Sequence, residues 1–132
     1  MLGLVIVTHG SLGQELLKTA ELIVGGLEGC LAVAIEGTRS PEALRESVGA
    51  AIKALDKGAG VLVLTDMFGG TSTNISLSFL EEGRVEVLTG VNLPMVLKAV
   101  QLRDRTPLAE AAQAVGDSGR KSINVTGELL GT

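Results

Sequence analysis

The apolar positions of this chain fall into two alternating rhythms. Leu2–Val7 is a short, nearly unbroken apolar run rich in β-branched residues and ends at Thr8-His9-Gly10. Such a run predicts a strand buried on both faces of a parallel sheet. The spacing then changes to a helical stripe at Leu12, Leu16, Ala20, Ile23 and Val24, closed by Gly25-Gly26. Ser11 is in place to cap it, with Gln14 completing a capping box. Cys30–Ile35 predicts a second strand. Ser40-Pro41-Glu42 joins a cap residue, a first-position Pro and an acid, and opens a second helix striped by Leu44, Val48, Ala51, Ile52 and Leu55.

Val61–Thr65 is the clearest strand signal, and Asp66 follows it directly. After Gly69-Gly70, Thr71 or Ser72 can cap a third helix reaching about Glu82. Val85–Leu88 predicts a fourth strand, Pro94 a helix through about Leu102, and Thr106-Pro107 a helix through about Val115. Ser122–Thr126 is expected as a short last strand. Repeated strand–helix alternation predicts an α/β, doubly wound, mainly parallel sheet. Right-handed crossovers leave few topologies, and the flavodoxin-like strand order 2-1-3-4 is the one expected. Strands one and three are then neighbours, and His9 and Asp66 meet at their carboxyl ends, where such sheets keep their ligand crevice.

Composition narrows the chemistry. The 132 residues fit one domain spanning 1–132, and 45% of them are hydrophobic, almost all aliphatic. Fifteen acids against eleven bases, two Phe and no Trp or Tyr leave neither a basic stripe nor stacking platforms, so nucleic acid is not an expected partner. The longest apolar run is far short of a membrane span, and the opening residues lack the basic start of a signal peptide. With a single cysteine, Cys30, expected in the core, a cytoplasmic protein is expected. One His and one Cys cannot assemble a zinc site of standard spacing, so neither a metal nor a cofactor is expected.

The lone His9 is the candidate nucleophile. A carboxylate accepting the N–H of one ring nitrogen fixes the tautomer and frees the other. That nitrogen can attack phosphorus and hold the group covalently. Candidate groups for the phosphoryl oxygens flank it: Gly10 and Ser11 at one helix start, and Gly69, Gly70, Thr71 and Ser72 at another. A receiver domain would need an acidic pair where Thr8-His9-Gly10 stands. A histidine phosphatase would need an Arg at Thr8 and a second His. No Gly-x-Ser-x-Gly elbow supports a serine triad. Binding of a small ligand in the same crevice is the alternative from another class.

These residues carry a resemblance over nearly the whole chain. Thr8-His9-Gly10, Leu16 to Glu21, Asp66 with Gly69-Gly70 and Asn74, and Gly90-Val91-Asn92-Leu93-Pro94-Met95 resemble the enzyme IIA domain of the mannose/fructose/sorbose-type bacterial phosphotransferase system. The resemblance implies that His9 takes a phosphoryl group on Nε2 from the phosphocarrier protein HPr, that Asp66 bonds Nδ1, and that a sugar-specific IIB protein is the next acceptor. It also implies a homodimer in which the last strand, about Ser122–Thr126, is exchanged and runs antiparallel at the partner's sheet edge. Thr71-Ser72 replaces a frequent Ser-Pro, and Phe68 a frequent Trp. The chain carries no Ala/Pro-rich linker before Thr132, so the IIB acceptor is expected in trans and membrane contact only through permease components. A regulatory phospho-switch of the same fold shares this site. A phosphotransfer subunit for dihydroxyacetone kinase would lack the Gly69-Gly70 and Asn92-Leu93-Pro94 signatures.

Overall fold

A computed structural model describes residues 1–131. In chain order the strands are β1 (Gly3–His9), β2 (Cys30–Ile35), β3 (Val61–Thr65) and β4 (Val85–Leu88). The helices are α1 (Leu12–Val24), α2 (Pro41–Leu55), α3 (Thr71–Leu77), α4 (Leu93–Leu102), α5 (Leu108–Lys121) and the one-turn α6 (Thr126–Leu129). The sheet runs β2-β1-β3-β4 with every pairing parallel, as the alternation predicts.

Period-two geometry explains why the two central strands, β1 and β3, are apolar up to their carboxyl ends. Leu4, Ile6, Leu62 and Leu64 face one core with Val96, Ala111 and Val115 from α4 and α5. Val5, Val7, Val61 and Val63 face the other with Leu44, Val48 and Ile52 from α2 and Ile75 from α3. Both faces of β1 and β3 are covered, so neither needs a polar position before its carboxyl end. Register then sets the site: Val7 pairs with Thr65 and His9 with Ile35. His9, two residues past Val7, and Asp66, next after Thr65, therefore emerge side by side at the rim. Cys30 is half-buried, and burial pushes its thiol up against the opposing pull of Arg103.

Several boundaries differ from expectation. Ser40 caps α2 as predicted, its hydroxyl accepting from the Ala43 N–H at 3.1 Å. Ser11 makes no such bond. Thr8 Oγ1 accepts instead from the Gly13 N–H at 2.8 Å, so a buried strand residue caps α1 from below. α3 begins after Gly70 without any side-chain cap and ends at Leu77, not near Glu82. α5 runs to Lys121, not Val115. Its stripe continues through Gly119, where a Cβ would lie 2.6 Å from Met95 Cγ, so glycine is needed for the helices to close.

The expected strand at Ser122–Thr126 is absent among the described residues. Ser122–Val125 is irregular, and Thr126 opens α6. A strand needs a partner edge, and this segment pairs with none in the single chain. Its alternating apolar residues, Ile123 at 77% and Val125 at 65%, face solvent.

Candidate functional site

His9 is the last residue of β1, and Asp66 follows the last residue of β3. One carboxylate oxygen, Oδ2, accepts twice from the same residue. The His9 main-chain N–H donates at 2.9 Å and ring Nδ1 lies at 2.8 Å. The other oxygen, Oδ1, accepts from the Ser72 hydroxyl on α3. Partial burial disfavours the charge on Asp66. The Ser72 hydroxyl and the His9 N–H and ring outweigh it, holding the carboxyl at about 2 against an ordinary 3.8. An ionised carboxylate has no proton to donate, so Nδ1 carries the hydrogen and Nε2 is the nitrogen left for chemistry. The His9 side chain is 48% exposed, so a large partner can reach it.

The remaining predicted residues divide by geometry. Gly10 has φ +56°, which turns the chain sharply from β1 toward α1. Its N–H donates to the Ile35 carbonyl at 3.1 Å, so it is already engaged and its role is the turn. Ser11 and Thr71 lie exposed at the rim. Gly69, at φ +82°, makes the turn before α3. Gly70 lies against the ring: a Cβ there would come within 3.3 Å of His9 Cε1 and 3.1 Å of Met67 Cγ. Ser72 is fully buried and donates to Asp66, so it supports the dyad from behind instead of facing a ligand.

Three threonines were not singled out as site residues from the sequence. Thr8, Thr65 and Thr73 are fully buried and all use their hydroxyls near the dyad. A usable signal existed: Thr8 and Thr65 are polar residues at the ends of otherwise apolar strands. Among the described residues no cluster of three or more His, Cys, Asp or Glu could hold a metal. None of the described helices is long and apolar enough to cross a membrane. Leu12, Met67 and Phe68, the last at 79%, are exposed on the segments that follow β1 and β3.

Fold and site define a doubly wound α/β protein that presents an imidazole, oriented by a carboxylate, at the carboxyl ends of adjacent strands. Residues 3–116 match the family described as the PTS system fructose IIA component, and the chain belongs to that family. It is a phosphotransferase-system IIA component of the mannose/fructose/sorbose type. It is 30% identical to the PTS system fructose-specific EIIA component of Bacillus subtilis over 131 residues, covering 98% of this chain and 90% of that protein. It is 33% identical over 124 residues to the PTS system mannose-specific EIIAB component of Escherichia coli. There the match covers 92% of this chain but spans only 38% of the relative's length. The crystal structure of an EIIA component from Streptococcus agalactiae superposes with a TM-score of 0.88 at 26% identity, covering 97% of this chain and 99% of that one. A IIA protein associated with a fucose utilisation operon in Streptococcus pneumoniae gives 0.82 at 26% identity, covering 96% and 95%.

Proposed function

We propose that the chain is a cytoplasmic phosphohistidine carrier that accepts a phosphoryl group on His9 Nε2 from HPr and passes it to a IIB protein. The observation that carries this reading is the Asp66 carboxylate 2.8 Å from His9 Nδ1, which leaves Nε2 as the exposed nucleophile. The Nε2 lone pair attacks the phosphorus of the donor's phosphohistidine. The donor's P–N bond breaks, and its electron pair returns to the donor ring. The Nδ1 proton stays on His9, and the positive charge that develops on the ring is balanced by Asp66. In the second half, the acceptor's nucleophile attacks phosphorus, and the Nε2–P electron pair returns to His9. The hydroxyls of Ser11 and Thr71 are the proposed contacts for the phosphoryl oxygens.

Incubation with phosphoenolpyruvate, enzyme I and HPr should add one acid-labile phosphoryl group per chain. Labelling that persists in His9→Ala would overturn the reading.

A homodimer belongs to the same proposal. The exposed alternation at Ile123 and Val125 supports pairing of the last segment with a second copy, and β4 is an outer strand of the sheet whose outward side is bridged by Glu81 at Val85. Light scattering of the purified chain tests it.

A further inference from the structure

Two fully buried hydroxyls lie beneath the dyad without touching it. Thr65 ends β3, and Thr73 sits in the first turn of α3. Their oxygens are 2.6 Å apart, and Thr73 Oγ1 donates to the Met67 carbonyl at 2.5 Å. A hydroxyl has one proton. Since that of Thr73 goes to Met67, the proton between the two threonines belongs to Thr65. The chain of bonds therefore has a direction, from Thr65 through Thr73 to the Met67 carbonyl.

This chain crosses the base of the loop that carries Asp66. The preceding residue of α3, Ser72, donates to Asp66 Oδ1. Consecutive hydroxyls of one helical turn thus hold consecutive residues of the loop, the first by its side chain and the second by its main chain. Met67 is also the loop's contact with the ring's surroundings. Its Cγ and His9 Cε1 flank the vacant Cβ position of Gly70, at 3.1 and 3.3 Å. The loop includes Gly69 and Gly70, which restrain it little.

We infer that Thr73 is a positioning residue for phosphoryl transfer. Its hydroxyl fixes the Met67 main chain and so the reach of the Asp66 carboxylate to His9 Nδ1, while Thr65 orients the Thr73 hydroxyl. The inference rests on the carrier reading. In Thr73→Val both Thr65 Oγ1 and the Met67 carbonyl lose a partner and the loop is released. In Thr65→Val the bond from Thr73 to Met67 survives.

The experiment combines the ring ¹⁵N resonances of His9, read in unphosphorylated protein, with single-turnover transfer from phosphorylated HPr. Thr73→Val should slow transfer at least tenfold, with the KM for HPr within twofold, and should draw the two ring resonances toward tautomer-averaged positions. Thr73→Ser should recover the rate to within threefold, and Thr65→Val should lose less than threefold. Thr73→Ala replaces Thr73→Val if the latter does not fold. Unchanged ring resonances and rate in a folded Thr73 variant, with the parent protein phosphorylated, overturn the inference alone. A rate loss matched by Thr65→Val and proportional to lost stability reduces Thr73 to a packing residue and also overturns it. Absence of phosphorylation in the parent protein overturns the carrier reading, and the transfer role with it.

Discussion

Asp66→Asn removes a charge while nearly keeping a shape. Oδ2 accepts from the His9 main chain at 2.9 Å and lies 2.8 Å from the ring, while Oδ1 accepts from Ser72. An asparagine has one oxygen. Turned toward His9, it keeps both bonds as neutral ones. Turned away, it sets N–H against N–H and favours the other ring tautomer. Converting the ring bond from charge-assisted to neutral loses about 1 kcal/mol. The larger loss comes in the transition state, when the ring gains positive charge as Nε2 bonds phosphorus. A carboxylate at ~4 Å from that charge is worth about 4 kcal/mol at an effective dielectric of 20.

Water over a ring that is 48% exposed reduces that to about 2. Together, roughly 3 kcal/mol slows transfer about 200-fold. Quench-flow with phosphorylated HPr in single turnover measures it, with circular dichroism to confirm folding. The equilibrium stability should change far less. The carboxyl shift from 3.8 to about 2 corresponds to roughly 2 kcal/mol at full value, and contact with water brings it to about 1. A transfer rate within fivefold of the parent protein would refute the electrostatic argument and leave Asp66 as a packing residue.

Ser72→Ala removes the hydroxyl that lowers the Asp66 carboxyl, so the carboxyl should rise from about 2 toward 3.8 and transfer should slow about threefold to tenfold; a ¹³C titration of Asp66 and the same quench-flow assay check both. Because the folded value lies below the unfolded one, the stabilisation from Asp66 is complete above pH 3.8 and fades as pH falls toward 2. Urea melts of the parent and Asp66→Asn proteins should therefore differ by about 1 kcal/mol at neutral pH and converge near pH 2. Gly70→Ala places a methyl against Met67 Cγ and His9 Cε1 at 3.1 and 3.3 Å, displacing an exposed ring more readily than the core. Transfer should fall about tenfold while thermal melting costs less than about 1 kcal/mol.

The fold was legible because its central strands are buried on both faces, which forces nearly continuous apolar runs such as Leu2–Val7 and Val61–Leu64. Polar residues at the ends of those runs then had to mark the rim, and His9 and Asp66 stand there. The errors fall where one chain segment answers to another. The end of α5 was hidden because its packing positions toward Met95 include Gly119, which interrupts an apolar stripe while making the contact possible. The segment at Ser122–Thr126 has strand alternation, but alternation describes a surface, and the strand exists only where an edge receives it.

The supports of the dyad were hidden for a different reason. Ser11 followed by Gln14 satisfies the local rule for a helix cap, yet the Gly13 N–H is taken by Thr8, which the strand holds in place before α1 begins. Ser72 looks equally suited to cap α3 or bind an anion, and only the return of the 66–70 loop brings Asp66 within its reach. Hydroxyls are ambiguous in sequence because they donate and accept and cost little to leave at a surface. Once buried they must find partners, and the partners available here are Asp66, the Met67 carbonyl and one another. The network therefore supports the carboxylate with neutral donors alone. An added Arg or Lys would compete with the His9 ring for Asp66, whereas neutral hydroxyls leave that carboxylate's charge to be balanced by the ring when phosphorus is attached.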